Sequence, residues 1–386
     1  MQPIYLDNSA TTALSEAARQ KMLEAMDAYG NPSSYHQLGR KSAALLTEAR
    51  EAVARSLGVR RLSPGELVFT SCGSEANTLA LLGTAHAKAR RTANRIITTD
   101  SEHPAIENVM QALEREGFEV VRISTRGGTL DMEQLDKALN DRVFMVSMMM
   151  VNNETGAMYD LKRVFSLSRT RSPAVITHTD AVQGYLKCRF TPASLGADLV
   201  TISAHKVHGP KGVGALYINP ALLKAKQIVP WLLGGGQENG LRSGTENIPG
   251  IAAFGAAVNE LYPRLDEQIA HMSGLRRRLV AGLTDLGIAV KQPPVCAPHV
   301  VNLTLPDIKS EVMLHFLDAR GICVSAGSAC STRSRHISSA LLAFGATERE
   351  ADCSLRVSLC AGNTEADIDA LLAALAEGLS SLIRIR

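Results

Sequence analysis

The amino-acid sequence predicts an α/β protein with a large domain, built on a seven-stranded and mostly parallel sheet, and a smaller C-terminal α/β domain. Short β-rich runs alternate with longer amphipathic stretches along the chain, a pattern typical of parallel α/β units. Several of these runs are apolar on both faces, as strands covered by helices on either side must be. The 386 residues allow more than one domain and a substantial buried core.

Seven β-rich runs form the predicted large sheet. They cover residues 67–70, 96–100, 120–124, 143–151, 174–180, 198–203 and 213–218, with helices predicted at 75–89, 105–116 and 132–139. Beyond residue 218 the pattern changes. A helical stretch over 248–286 precedes strands at 288–291, 299–305, 321–325 and 355–359 and helices at 309–320 and 364–382. We therefore predict an N-terminal arm over 1–14, a large domain over 15–260 and a small domain over 265–386.

The composition excludes several classes of protein. The 41 Lys and Arg against 38 Asp and Glu leave a net charge of +3, too small to indicate a nucleic-acid or membrane-surface partner. The longest nearly unbroken apolar run, 143–151, is about half as long as a bilayer span. The chain opens with neither the basic nor the apolar region of a secretory signal. Seven cysteines without a CxxC pair argue against a disulfide framework and a structural zinc site. We expect a soluble, cytoplasmic protein without a metal.

The segment 203–212, Ser-Ala-His-Lys-Val-His-Gly-Pro-Lys-Gly, follows directly on a predicted strand. Lys206 stands just past that strand beside small and hydroxyl residues, a position that suits an imine-forming amine with a lowered pKa. The neighbouring Ser203 and His205 can donate hydrogen bonds to a phosphate. A solvated loop lysine explains Lys206 equally well when that residue is considered alone.

Two further strand ends carry residues that suit a phosphorylated ring cofactor. The segment 70–77 follows a strand and opens a helix, so Gly73 and Ser74 can present free N–H groups to an anion. An ordinary N-cap is the commoner interpretation of that segment alone. Asp180 ends the predicted strand 174–180 and points into the ligand crevice of an open α/β sheet. In pyridoxal phosphate (PLP) enzymes such an aspartate pairs with the pyridinium nitrogen, although a helix cap accounts for Asp180 equally well.

His103 and Asn153 follow two other predicted strands. His103 could stack on an aromatic cofactor ring and relay protons, and Asn153 could hydrogen-bond a ring substituent. A surface-loop histidine and a turn-forming asparagine are the commoner roles of such residues taken singly. Together, phosphate donors, a ring partner, a base and an imine-forming lysine all lie at strand ends of one sheet. That combination indicates PLP chemistry far more specifically than any one motif does.

Longer motifs resemble, in the same order along the chain, the cysteine desulfurases, which are PLP enzymes of the class V aminotransferase family with fold type I. The resemblance extends from residue 4 to about residue 375. The motifs that carry it are Tyr-Leu-Asp-Asn-Ser-Ala-Thr-Thr at 5–12, Gly-Asn-Pro-Ser-Ser at 30–34 with His36, Ser-Glu-His at 101–103, Val-Asn-Asn-Glu at 151–154, Asp-Ala-Val-Gln at 180–183, the segment 203–212, Gly-Gly-Gly-Gln-Glu at 234–238 and Arg-Ser-Gly-Thr-Glu-Asn at 242–247.

The resemblance implies a role at the cofactor for each matching residue. Lys206 is the implied Schiff-base lysine, and Asp180 is the implied partner of the pyridine nitrogen. His103 is expected to stack on the ring, while Gln183 and Asn153 contact the region of its phenolic oxygen. The residues expected to hold the phosphate are Gly73, Ser74, Ser203 and His205.

Two more residues complete the implied site. Thr245 resembles the residue that reaches the PLP phosphate of the other subunit, so the resemblance implies a homodimer. Arg356 matches the arginine that binds the substrate carboxylate, next to Asn153, and a planar guanidinium suits bidentate binding of a carboxylate. A salt bridge at a strand edge is the alternative role for Arg356.

Cys330 lies in Ser-Ala-Gly-Ser-Ala-Cys-Ser at 325–331, a run without apolar neighbours that could pack the thiol into a core. Small neighbours leave a thiol accessible, and Arg333 and Arg335 would favour its thiolate. The matching cysteine of the family attacks the sulfur of bound L-cysteine, which leaves a persulfide on the enzyme and yields L-alanine. The resemblance therefore implies that Cys330 is the nucleophile, that Lys206 performs transimination and proton transfers, and that His103 relays protons.

The segment after Cys330 has about the length of the family's long-loop group I, the nitrogen-fixation and iron–sulfur-assembly type. The stretches 338–341 and 359–362 depart from the usual pattern of that group and leave the choice of partner open. An iron–sulfur scaffold and a protein of thio-cofactor synthesis or tRNA thiolation are the expected sulfur acceptors. A selenocysteine lyase or another class V enzyme stays an alternative, because the same site would accept selenium. A catalytically silent sulfur-transfer scaffold is less favoured, because Lys206, Asp180, His103 and Cys330 are all present.

Overall fold

The computed structural model describes residues 3–88, 93–326 and 337–384. The strands in this part of the chain are β1 (Ile4–Tyr5), β2 (Leu67–Thr70), β3 (Arg95–Thr99), β4 (Glu119–Ile123), β5 (Val143–Ser147), β6 (Ile176–Asp180), β7 (Leu199–Ser203), β8 (Gly214–Ile218), β9 (Ala289–Lys291), β10 (Val300–Thr304), β11 (Ile322–Cys323) and β12 (Ser354–Ser358). The helices are α1 (Glu16–Met26), α2 (Gln37–Ser56), α3 (Gly73–Ala85), α4 (Pro104–Arg115), α5 (Met132–Ala138), α6 (Leu161–Arg171), α7 (Pro192–Leu195), α8 (Pro220–Lys224), α9 (Ile248–Leu261), α10 (Leu265–Asp285), α11 (Ser310–Asp318), α12 (Ser339–Phe344), α13 (Glu348–Asp352) and α14 (Glu365–Ser381). Short 3₁₀ turns cover Arg126–Gly128, Ala204–Lys206, Glu238–Gly240 and Tyr262–Arg264.

The large sheet has seven strands in the order β2-β8-β7-β6-β5-β3-β4. Strand β8 is antiparallel to both of its neighbours, and the other adjacent pairs are parallel. Ile96 and Leu216 belong to one apolar cluster and Ile97 and Ala215 to another, because alternate residues of a strand point to opposite faces. The predicted mostly parallel, seven-stranded sheet with two covered faces is confirmed.

The carboxyl ends of the parallel strands meet at one edge of this sheet, where the next helices begin. Helix α3 starts directly after β2 with Cys72 as its N-cap residue, and α4 starts after β3 with His103 as its N-cap residue. Pro104 stands at the first position of α4, where its missing N–H costs no helical hydrogen bond. Both helix starts therefore lie at the sheet edge that carries the predicted site.

A second, three-stranded antiparallel sheet in the order β12-β10-β9 packs with α10, α11 and α14. The start of the chain joins this region, because β1 pairs in parallel with β11 and the fully buried Leu6 belongs to the same apolar cluster. Separate apolar clusters in the two regions support the proposed division into a large and a small domain, and the boundaries near 15 and 265 stay a prediction.

Most predicted elements differ from the structure by a few residues at their ends, and three of them differ in a way that has structural meaning. The helical stretch 248–286 is interrupted by the turn Tyr262–Arg264, since Pro263 lacks the N–H that a continuous helix uses. The run 143–151 leaves regular strand geometry after Ser147, although its remaining residues are buried, and the run 321–325 is reduced to Ile322–Cys323. Within the described ranges, no helix is both long and apolar enough to cross a membrane.

Candidate active site

A cavity of about 280 Å³ lies at the carboxyl edge of the large sheet. Ten predicted site residues line it, namely Gly73, Ser74, His103, Asn153, Asp180, Gln183, Ser203, His205, Lys206 and Arg356. Five loops at the sheet edge, which follow β2, β3, β5, β6 and β7, contribute to the lining together with the N-terminal arm and β12. Residues that are far apart in sequence, between Ser9 and Arg356, are thus brought into one cavity.

Two predicted residues are not among those lining the cavity. Thr245 is exposed and lines a separate, smaller cavity beside Glu246 and Asn247. Cys330 lies outside the described residues, as do Arg333 and Arg335.

The Lys206 amine is held by the N-terminal arm. Lys206 lies in the 3₁₀ turn that directly follows β7, and its Nζ donates hydrogen bonds to the carbonyl oxygens of Ser9, at 2.6 Å, and Ala10, at 2.8 Å. The motif at 5–12 was noted in the sequence, but its contact with Lys206 was not predicted. Because the two carbonyls belong to backbone, no side-chain pattern in the arm could reveal that contact.

Asp180, at the end of β6, is nearly buried and is oriented by two donors. Asn77 Nδ2 donates to Asp180 Oδ2 at 2.7 Å, and the backbone N–H of Val182 donates to Oδ1 at 2.9 Å. Asn77 stands in the first half of α3 and was missed as a functional residue, although it belongs to the noted segment 70–77. These bonds fix a carboxylate at the cavity wall, as recognition of a ring N–H requires.

The start of α3 forms an anion cradle together with the residues that follow β7. A Cβ on Gly73 would lie 2.9 Å from Val182 Cγ2, so only glycine fits there without displacement. The Ser203 hydroxyl is buried and has no hydrogen-bond partner among the described residues. Burial, with smaller contributions from nearby lysines including Lys206, lowers the pKa of His205 to about 4, so its ring is neutral at physiological pH. Backbone N–H groups, a hydroxyl and a neutral imidazole suit a phosphate.

The thiol of Cys72 also lines this cavity. Its Sγ accepts a hydrogen bond from the backbone N–H of Glu75, at 3.5 Å, and in this way caps α3. This contact gives Cys72 a structural role at the helix start.

His103 presents one defined ring nitrogen to the cavity. Its Nδ1 accepts a hydrogen bond from the backbone N–H of Ala105, at 3.1 Å. Burial lowers the pKa of His103, an effect that Asp180 opposes and Lys206 reinforces. In the neutral ring the proton therefore resides on Nε2, so His103 can donate a hydrogen bond or lie against a ring without carrying charge.

Glu102, next to His103, is fully buried and was not predicted as a site neighbour. Its Oε1 accepts hydrogen bonds from Thr99 Oγ1, at 2.7 Å, and from the backbone N–H of Met149, at 2.8 Å. Burial raises the pKa of Glu102 to about 8, so this carboxyl group is mostly protonated at neutral pH. It therefore adds little negative charge to the cavity wall.

Arg356 is 2% exposed and lines the cavity from β12. Its Nη2 donates to Asp7 Oδ1 at 2.8 Å, and its Nη1 donates to the carbonyl oxygen of Asn153 at 3.1 Å. The salt bridge considered for Arg356 is therefore present, with Asp7 as its partner, and the residue also lines the cavity. The guanidinium is oriented by the arm and by the loop after β5, which suits recognition of a carboxylate.

The chain on both sides of the stretch 327–336 attaches to the same end of the cavity. On one side, Ser325 and Arg356 exchange two backbone hydrogen bonds, of 3.1 and 2.7 Å. On the other side, Ser338 Oγ donates to Glu154 Oε2 at 2.5 Å. Glu154 belongs to the loop whose Asn153 carbonyl binds Arg356. The two flanks are therefore anchored at the residues that surround the guanidinium.

The residues present fit PLP. The cavity is lined by an anion cradle for its phosphate, a carboxylate for its ring nitrogen, a histidine ring and a lysine amine. The orphaned Ser203 hydroxyl and the close packing at Gly73 supply the observations that favour a phosphate at that end.

Comparisons with known proteins agree with this geometry. The class V aminotransferase family model matches residues 4–371. The chain is similar to a cysteine desulfurase of Trichormus azollae, with 37% identity over 98% of this chain and 93% of the relative. It is also similar to a cysteine desulfurase IscS of Clostridium botulinum, with 38% identity over 96% of this chain and 92% of the relative. Among solved structures, a NifS-like protein matches with a TM-score of 0.91 and 36% identity, over 99% of this chain and 100% of that protein.

Proposed function

This chain belongs to the class V aminotransferase family and, within it, to the cysteine desulfurases, and from that premise we propose how its own residues carry out the reaction. The proposed reaction joins the sulfur of L-cysteine to the Cys330 thiol, so that L-cysteine and the free thiol become L-alanine and a Cys330 persulfide. One C–S bond breaks, one S–S bond forms, and the thiol proton is transferred to the product. The convergence of Lys206, Asp180, the anion cradle and Arg356 in one cavity is the observation that carries the proposal.

Proposed cofactor contacts follow from the cavity lining. Gly73, Ser74, Ser203 and His205 would hold the phosphate of PLP, Asp180 its ring nitrogen, and Lys206 its aldehyde carbon. When bound, PLP supplies the electron sink that makes the Cβ–S bond of cysteine cleavable. The support is chemical, since the lining offers an anion cradle, an oriented carboxylate and an amine held at two backbone carbonyls.

Substrate binding is assigned to Arg356, with Asn153 beside it. A guanidinium fixed by Asp7 and by the Asn153 carbonyl keeps further N–H groups for a second carboxylate. Burial strengthens such a charge-assisted hydrogen bond, because little water competes for the guanidinium. Arg356 would thus orient L-cysteine by its carboxylate and leave its side chain to the nucleophile.

Cys330 is proposed as that nucleophile, and the flanks of its segment support the assignment. Ser325 is bound to Arg356, and Ser338 is bound to Glu154, so both flanks start from the substrate-binding end of the cavity. Cys330 stands within the 327–336 stretch between these anchors. The persulfide sulfur on Cys330 would then be transferred to an acceptor protein of iron–sulfur-cluster assembly, thio-cofactor synthesis or tRNA thiolation.

The first test compares the wild-type enzyme with Cys330→Ala in the presence of L-cysteine and a thiol reductant. We expect the wild type to release L-alanine and sulfide in equal amounts, because the reductant discharges each persulfide. The variant should release both products at least about 100-fold more slowly than the wild type, as nucleophile variants do. Alanine and sulfide are measured in the same samples, together with the visible absorbance of bound PLP.

Cys323→Ala is the matched control, since Cys323 is a partly exposed thiol in the same half of the chain. Burial is the largest cause of the raised pKa of Cys323, which makes that thiol a poor nucleophile, so this variant should keep wild-type activity. Full activity of Cys330→Ala would remove Cys330 from the mechanism and favour a lyase that acts on selenocysteine. A wild-type protein that binds PLP but releases neither product would refute the substrate assignment.

A further inference from the structure

Lys187 is a buried lysine that lies behind the cavity rather than in its lining. Only 5% of the residue is exposed, and its Nζ lies 3.4 Å from Gln183 Oε1, to which it donates a hydrogen bond. It also lines a small void of about 20 Å³ that Lys206 and Cys360 share. Burial of a lysine is unfavourable unless its amine has a defined role or partner. The proposed function assigns no part of the reaction to Lys187, so it does not explain why this amine is buried.

His299 approaches the same oxygen from the other side. The residue is fully buried, and its Nε2 lies 3.4 Å from Gln183 Oε1. Burial, reinforced by Lys187 and Arg356, lowers the pKa of His299 well below its usual value, so the ring is neutral. Since an amide oxygen can only accept, the single ring proton must be on Nε2. Two donors from separate elements therefore converge on one oxygen of Gln183.

The other end of the Gln183 amide is defined by the N-terminal arm. Gln183 Nε2 donates to the carbonyl oxygen of Ser9 at 2.9 Å, and the same oxygen accepts a hydrogen bond from Lys206 Nζ at 2.6 Å. Rotating the amide by half a turn would place its NH₂ group against two donors and its oxygen against a carbonyl. Such a rotation would break all three of these hydrogen bonds of the Gln183 amide, at a cost in free energy.

We propose that Lys187 and His299 are positioning residues that hold the Gln183 amide with Nε2 toward the cavity and the Ser9 carbonyl. The second N–H of Nε2 is then the donor for the phenolic oxygen of a bound cofactor, and the Ser9 carbonyl is kept in place for the Lys206 amine. This inference rests on the proposed function for the identity of that cofactor. The orientation of Gln183 itself rests on the buried contacts alone.

The charge of Lys187 does not alter its ability to donate. The groups that act on it electrostatically are Lys206, Cys188, Cys360 and Arg356. Burial, reinforced by Lys206, lowers the pKa of Lys187 to about 7, so ammonium and amine forms coexist near neutral pH. Both forms carry N–H groups, and both can donate to Gln183 Oε1.

The test replaces Lys187 by methionine, which keeps most of the volume and removes the donor. PLP is titrated into protein stripped of its cofactor, and the visible absorbance of the reconstituted enzyme is then followed against pH. We expect PLP to bind about tenfold more weakly to Lys187→Met, and we expect the pH midpoint of the absorbance change to rise. The midpoint rises because the ring oxygen loses an oriented donor and, with it, stabilisation of its deprotonated form.

Lys291→Met is the matched control, because Lys291 is also partly buried and donates to Thr304, in the small sheet. It should leave PLP affinity and the pH midpoint unchanged. A purely structural role for Lys187 would lower the melting temperature without moving the midpoint. Should Lys187→Met fail to fold, His299→Phe removes the other donor, and the same two shifts are expected from it. Unchanged affinity and midpoint in a folded variant overturn the inference.

Failure of the proposed function gives a different result. If the wild-type protein binds no PLP, the cofactor assignment is refuted, and the orientation of Gln183 is then decided by ¹⁵N-edited NMR of its side-chain amide. A wild-type pair of Nε2 proton signals that shifts, and whose protons exchange faster with water, in Lys187→Met supports the fixed orientation. Identical spectra of the two proteins refute it.

Discussion

At the scale of single residues, burial rather than neighbouring charge is the main reason why groups near the cavity have altered pKa values. Burial is the largest cause for His178, whose pKa falls to about 3, for His205, and for Glu102. The fully buried His178 lies in β6, two residues before Asp180, where Ser147 Oγ contacts its Nδ1 at 2.8 Å and Thr201 Oγ1 contacts its Nε2 at 3.1 Å. Neutral histidines and a protonated glutamic acid leave Asp180, Lys206 and Arg356 as the charges that select a ligand.

The lowered pKa of His178 predicts a pH dependence of stability. The unfolded chain binds a proton at His178 below its usual pKa of 6.5, whereas the folded protein does so only near 3. Stability from this residue is therefore complete above pH 6.5 and is lost as the pH falls. Between pH 7 and 5 the loss is about 2 kcal/mol. Urea unfolding of wild type and His178→Gln at both pH values should show a smaller decrease for the variant. Equal decreases would mean that His178 is not neutral in the folded protein.

At the scale of elements, the site depends on the packing of a helix start against a strand. Gly214 begins β8 and pairs with Thr70 at the end of β2, and a Cβ on Gly214 would lie 2.5 Å from the carbonyl carbon of Cys72. Gly73, the first residue of α3, is nearly as close, with its nitrogen at 2.9 Å. The anion cradle is thus set by backbone contacts between β8 and the start of α3.

Gly214→Ala is expected to displace the start of α3, because the atoms that crowd its Cβ are backbone. PLP affinity should fall about tenfold or more, and the free energy of unfolding should fall by about 1–3 kcal/mol. Gly274→Ala is the control, since among the described residues its Cβ would meet only Arg277 Nη2, at 3.9 Å. This control should keep PLP affinity and gain up to about 1 kcal/mol of stability. Wild-type PLP affinity of Gly214→Ala would show that the cradle does not depend on this contact.

At the scale of the whole molecule, the proposed homodimer would complete the site with Thr245. That residue is exposed and lines a separate cavity, as a residue that serves the other subunit would. Leu232 forms an isolated β-bridge with Arg242, close to Thr245 in the sequence. The residues on either side of Leu232 are large, apolar and exposed, with Trp231 51% and Leu233 77% accessible to solvent. Neighbouring large apolar side chains that are this exposed agree with the proposed dimer, in which a partner subunit would cover them.

Complementation between two defective subunits tests this arrangement. Lys206→Ala should be inactive, and Thr245→Val should bind PLP weakly. In a heterodimer of the two, one site has both defects and the other has none. Random pairing of co-expressed subunits should restore about a quarter of the wild-type activity, because half of the dimers carry one intact site. Activity no greater than the sum of the two separate variants would place Thr245 in its own subunit's site or outside any site.

Local patterns in the amino-acid sequence are enough to predict the fold class, the large sheet and ten of the residues that line the cavity. The spacing of apolar residues and the local composition depend only on neighbouring residues, so the runs 67–70 and 213–218 are recognisable as strands without knowledge of the strands that they pair with. The strand-end motifs around Lys206, Asp180 and His103 were informative for the same reason, because parallel strands bring their carboxyl ends to one edge.

The groups that hold these residues in place are identified by the packing of the folded chain and by no local pattern. Asp7 against Arg356, Asn77 against Asp180, and Lys187 with His299 against Gln183 are contacts between residues far apart in sequence. The Ser9 carbonyl against Lys206 is a backbone contact, which no side-chain pattern reveals. A sequence records which groups are available, whereas the partner of a buried polar group depends on how the elements pack, because most buried polar groups form a hydrogen bond within the fold.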